Sequence, residues 1–99
     1  MQIPVSSGKF SFGQLVMTRG VNDKIADDAR FSRFVIESLG RHAKGDWGDL
    51  GKEDKQENEL SLKKGFRLFS AYERADLPKI WIITEADRSV TTVLFPDEY

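Results

Sequence analysis

The chain has no cysteine and a single histidine, His42, among its 99 residues. The first absence excludes disulfides and thiolate metal sites and fits a reducing compartment, so a cytoplasmic location is expected. The second excludes any site built on two imidazoles. Long apolar runs are also missing. No stretch approaches the roughly 20 residues that cross a bilayer, and MQIPVSSGKF has neither the basic start nor the apolar centre of a secretory signal. A membrane partner is therefore not expected. Neither sign of charge dominates, because 15 basic and 16 acidic residues leave a net charge of −1. Domains that hold nucleic acid by bulk charge are strongly basic, so that mode is not indicated, although a local patch stays open. Phosphate-binding loops, dinucleotide fingerprints, nucleophile elbows and zinc spacings are absent, and no cofactor is expected.

What is present is enough for one core. Seven Phe, two Trp and two Tyr within a 39% hydrophobic composition predict a single packed domain over residues 1–99. Residues 1–10 read as a polar lead-in, loose or a short edge strand. FGQLVMT (12–18) has strand character and ends at Arg19-Gly20. Asn22-Asp23 can cap a helix through IADDARFSRFVIESLGRHA, where Ile25, Ala29, Phe31, Phe34, Val35, Ser38 and Leu39 form one stripe opposite Asp27, Arg30, Arg33 and Glu37. Gly45 stops it, and residues 46–51 form a corner. KEDKQENELSLKKG reads as a second, exposed helix, with Asp49 as its cap, Glu53 and Asp54 in its first turn, Lys63 and Lys64 in its last, and Gly65 as terminator.

The last third changes period from 3.6 to 2. FRLFSAY alternates, and KIWIIT and VTTVLF form a hairpin around Glu85–Ser89 before Pro96 and an acidic tail. The expected class is α+β: an antiparallel sheet of about four strands on two helices, in the order β-α-α-β-β-β. Phe34, Val35, Leu39, Leu68, Ile80, Ile82, Val93 and Leu94 should lie in the core. Phe69, Trp81 and Phe95 exceed what a single core needs, and any left on the open face of the sheet would mark a partner surface.

Two clusters could carry chemistry. At the corner, His42, Asp46 and Asp49 could form a metal or acid–base set. Their spacing matches no strong motif, so the preferred reading has His42 packing, the aspartates closing turns and Trp47 filling the gap between helices. At the hairpin tip, Glu85 and Asp87 could bind a cation and Arg88 a phosphate, yet all three are ordinary turn residues. Arg67, Tyr72, Arg74 and Arg88 with His42 would make at most a weak RNA-cleaving set. The residues expected to serve binding are Arg67, Tyr72, Trp81, Glu85, Asp87 and Arg88.

The stretches MTRGVND, RHAKGDWGDL, EDKQENE and above all IWIITEADRSVTTVLFPDEY resemble a family of small uncharacterised proteins of bacterial plasmids, phages and integrated elements. The resemblance runs from about Val16 to Tyr99 and brings no residue roles. It implies an accessory protein of mobile DNA that acts without catalysis by binding a macromolecule, such as a host defence complex of the CRISPR or restriction type. The alternative is a small nuclease or metal-dependent hydrolase using the corner or the hairpin tip. A protein partner is expected, and a homo-oligomer is left open.

Overall fold

The structure, a computed structural model, describes residues 8–99; most of the expected lead-in, residues 1–7, lies outside them. Strand β1 (Gln14–Met17) leads into helices α1 (Arg19–Asp27), α2 (Ala29–Ala43) and α3 (Lys52–Lys64). Strands β2 (Leu68–Arg74), β3 (Leu77–Thr84) and β4 (Val90–Leu94) follow, with a short 3₁₀ turn at Pro96–Glu98. The α+β class holds. One four-stranded sheet runs in the order β1-β4-β3-β2.

The sheet is mixed rather than antiparallel. The β2–β3 and β3–β4 pairs are antiparallel, but β1 lies parallel to β4. The reason lies just beyond the two strands. Glu98, after β4, accepts from the Thr18 hydroxyl at 2.6 Å and from the Gly20 amide at 3.2 Å, both just after β1. Those contacts require the two strands to finish at the same end of the sheet.

The expected first helix is two helices, so the order gains an element: β-α-α-α-β-β-β. Thr18 caps α1, not Asn22 or Asp23. Asp28 then leaves the helical region (φ −140°, ψ 108°), and its carboxylate accepts from the Arg30 amide at 2.9 Å and the Phe31 amide at 3.2 Å. A short acidic side chain can satisfy the free amides of a new first turn, which makes a break there stable. The expected stripe holds in α2, which buries Phe31, Phe34, Val35, Ser38 and Leu39, but not across the break: Ala29 is exposed, Ile25 half-buried, and α1 buries Val21 instead. The α3 bounds agree with expectation, and Gly65 ends it at φ 77°. Its N-cap is Gly51, with no side-chain bond.

All eight expected core residues are buried, from Leu39 at 0% exposed to Leu94 at 4%. Helices α1 and α2 cover the face carrying Ile80, Ile82, Val93 and Tyr72. Phe95 turns to this side and packs on Phe31 with ring centroids 5.7 Å apart.

Strand β2 is an edge strand, and an edge offers unpaired amides and carbonyls to other chains. Here alternate residues are satisfied from within. Asn58 of α3 donates to the Phe69 carbonyl and accepts the Phe69 amide at 3.0 Å. The Trp47 carbonyl accepts the Ala71 amide at 3.4 Å, and the Asp49 amide donates to the Ala71 carbonyl at 2.7 Å. The Asp49 carboxylate accepts the Glu73 amide at 2.9 Å. Asp49 is thus committed to the sheet edge, which is why it does not cap α3. Gly48 permits this approach: at φ 77°, a Cβ there would fall 2.0 Å from the Ala71 carbonyl oxygen. Replacing Gly48 with Ala is therefore expected to cost at least about 3 kcal/mol, combining left-handed strain with loss of the edge bonds. Urea unfolding checks this, and a Gly48→Ala protein as stable as the parent would refute the account.

Candidate functional site

His42 comes from α2 and is fully buried. Its surroundings can be read one bond at a time. The Phe12 carbonyl can only accept, so the Thr91 hydroxyl donates to it at 2.9 Å. The Thr91 oxygen then accepts from the Thr84 hydroxyl at 2.8 Å, and the Thr84 oxygen accepts from His42 Nε2 at 2.9 Å. His42 Nδ1 is left to accept the Ser70 hydroxyl at 2.5 Å. Each hydroxyl supplies one proton, so the chain of bonds fixes the Nε2–H tautomer of a neutral ring. Burial, and secondarily the positive charge of Arg88, push the imidazole pKa down to about 3. Phe10, Phe12 and Trp47 pack around the ring.

The other corner residues point elsewhere. Asp46 pairs with Arg41 through two bonds of 2.7 and 3.2 Å and accepts the Gly48 amide at 3.1 Å. The Arg41 guanidinium holds its carboxyl below the usual range. Trp47 is buried and donates its indole N–H to Glu59 of α3 at 2.6 Å. His42, Asp46 and Asp49 are therefore not brought together. Among the described residues, no group of three His, Cys, Asp or Glu could hold a metal ion.

At the hairpin tip only Arg88 turns inward, while Glu85, Ala86, Asp87 and Ser89 are exposed. Arg88 sits at φ 61° and donates to the carbonyls of Phe66 (2.7 Å), Glu85 (3.1 Å), Ala86 (3.3 Å) and Ser61 (3.3 Å). Its guanidinium ties the tip to the C-terminal end of α3, where a cation is favoured by the helix dipole. Asp87 accepts the Ser89 amide and hydroxyl, which lower its pKa. Glu85 lies 4.0 Å from Arg67. Tyr72, expected at a binding surface, is buried on the helix side and donates to the Asp46 carbonyl at 2.7 Å. Burial raises its pKa.

The open face of the sheet is different. Strand register places Val16, Thr92, Ile83 and Phe69 in one row across all four strands, with Leu94, Trp81 and Ala71 in the next. Phe69 and Trp81 meet edge to face at 5.0 Å. The element that reaches them is the C-terminal turn, which sets Tyr99 5.8 Å from Trp81. Arg67, Phe69, Trp81, Ile83 and Tyr99 line a cleft of about 300 Å³. Of the residues expected to bind, Arg67 and Trp81 converge there, with Glu85 at its margin. Phe69 was anticipated as surplus to the core. Tyr99 was read as tail, and its signal was the lack of any further apolar helix to cover 69 and 81.

Comparison with family models, curated proteins and solved structures gives no match. No helix among the described residues is long and apolar enough to cross a membrane.

The buried imidazole leads to a pH prediction. Its folded pKa lies below the unfolded value of about 6.5, so between about 3 and 6.5 the unfolded chain binds the extra proton. Stability is then complete above pH 6.5 and declines on acidification, by up to about 1.4 kcal/mol per pH unit. Gln at position 42 offers a donor and an acceptor without titrating. Urea midpoints from pH 7 to 5, above the carboxylate range, should fall more steeply for the parent than for His42→Gln. Equal slopes would show that His42 does not titrate as argued.

Proposed function

We propose that the chain is a non-catalytic binding protein that receives a protein partner on the open face of its sheet. The observation behind this reading is the pair Phe69 and Trp81, held outward on central and edge strands beside Arg67. Aromatic side chains dominate binding hot spots because they bury large area with few rotors to freeze, and Arg joins them through its planar fork of five N–H donors. The resemblance to proteins of mobile DNA makes a host defence complex of the CRISPR or restriction type the partner we favour. A near-neutral charge and the Arg67–Glu85 proximity favour protein over nucleic acid. The nuclease or hydrolase alternative draws no support from the corner or the tip, where Asp46, His42, Asp49, Arg88 and Asp87 are engaged in internal bonds.

Trp81→Lys tests the reading, with Lys52→Glu at the exposed start of α3 as control. Immobilised parent and control should retain the same stoichiometric protein from a bacterial host lysate. Binding of that purified protein to Trp81→Lys should be at least roughly 30-fold weaker, the size of a hot spot of about 2 kcal/mol. Thermal melting confirms that both variants are folded. Equal affinity for all three would move the interface off this face.

A further inference from the structure

The two edges of the sheet are finished differently. The outer groups of β2 are bonded by Asn58, Trp47 and Asp49, whereas β1, at the other end of the strand order, has only β4 beside it among the described residues. The Gln14 amide donates to the Ser89 carbonyl at 2.8 Å and the Thr18 amide to the Val93 carbonyl at 3.1 Å, so the even positions of β1 bond towards β4. Backbone groups alternate in direction along a strand, and those of Leu15 and Met17 therefore point away from the sheet. Among the described residues nothing outside the sheet bonds them. The Gly13 amide, on the same side, is taken by the Ser11 hydroxyl at 3.2 Å. Two amides and two carbonyls are left open. Edge strands are ordinarily guarded by a charge, a proline or a bulge, and QLVM has none of these. Val16 is 37% exposed on the open face, while Leu15 and Met17 are half-buried at the margin of the core on the helix side.

We infer that this edge pairs with the same edge of a second copy of the chain, antiparallel about a two-fold axis at Val16. The four open groups set the register. With Leu15 of each copy opposite Met17 of the other, both pairs exchange their two bonds, four in all, and Val16 meets Val16 on the axis. Opposing Leu15 with Leu15 instead sets Met17 against Gly13, whose amide is already bonded. The side chains suit the first arrangement. On the helix side Leu15 and Met17 cover one another and join the two cores, while on the open face Gln14 stands opposite Thr18 and the valines form an apolar pair. Charge does not oppose it. The two copies of Arg19 fall six strand positions apart, about 20 Å, which exceeds a screening length of about 8 Å. The segment is thus its own complement: extended, uncharged and apolar at three successive positions. Two sheets of four strands become one of eight. Phe69 and Trp81 lie on β2 and β3, away from this edge, so the pairing leaves the proposed partner face free.

Sedimentation equilibrium of the full chain from about 10 μM to 1 mM covers the affinities of a small interface. The parent should move from 11.3 kDa towards twice that mass as concentration rises. Val16→Lys and Val16→Glu each set like charges together on the axis, and each should weaken self-association at least about 10-fold. An equimolar mixture of the two variants should recover association at least as strong as that of the parent, because opposite charges then meet. Trp81→Lys should associate like the parent. Thermal melting checks that the variants are folded, as expected for an outward side chain. A parent that stays monomeric over the whole range would overturn the inference. So would association that persists in both single variants, or a mixture that fails to recover it. Association lost in Trp81→Lys but kept in Val16→Lys would also overturn it, by placing the contact between copies on the open face.

Discussion

One carbonyl oxygen, that of Phe12, sets the direction of the polar interior. It cannot donate, so the protons of Thr91, Thr84 and His42 Nε2 must point the way they do, and burial, by keeping the ring neutral, leaves Nδ1 to accept from Ser70. The bonds join the segment before β1 to β4, β3, α2 and β2. They therefore fix how the helices sit over the strands, which apolar contact alone leaves loose. Every member is satisfied, and among the described residues no buried side-chain polar atom lacks a partner. A buried network of this kind is costly if broken and specifies one arrangement if complete. With α2 and the sheet locked together, the opposite face is held in a defined shape, with Ala71, Ile83 and Leu94 buried and Phe69 and Trp81 half-buried.

The same economy of polar groups governs the corner and the hairpin tip. Both concentrate residue types that ordinarily signal chemistry. At the corner, Asp49 and the backbone of Trp47 complete the edge of β2, while Asp46 neutralises Arg41. At the tip, Arg88 gathers four carbonyls, those of Ser61 and Phe66 around the end of α3 and of Glu85 and Ala86 in the tip itself. The groups with most capacity to bind a ligand are thus used to finish secondary structure. What remains on offer is apolar and aromatic, which shifts functional weight to the open face.

Much of this was legible from residue order. Acids in the first turn, lysines in the last and Gly65 as a stop located α3, period 2 located the late strands, and the eight expected core residues are buried. The errors share a cause. Asp28 breaks a helix with a side chain that, on a helical wheel, looks like any solvated acid. The direction of β1 depends on contacts of Thr18 with Glu98, 80 positions away. The partners of His42 lie 28 and 42 positions along the chain, and no local pattern names them. Arg88 looked exposed because its reach to Ser61 exists only once α3 and the tip are adjacent. Tyr72 and Trp81 sit at comparable places in alternating strands, and only the packing of α2 decides which face is inside.

The parallel β1–β4 pair has a consequence for synthesis. Strand β1 leaves the ribosome well before its hydrogen-bonding partner and before the Glu98 carboxylate that secures the start of α1, 78 positions beyond Gly20. Contacts of such long separation form late, because loop closure costs entropy before it is offset by bonding. During translation β1 therefore waits, with Leu15 and Met17 uncovered, for the last strand. The β2–β3–β4 meander, built from neighbours, can assemble first. A nascent chain of this design keeps that edge open until β4 appears.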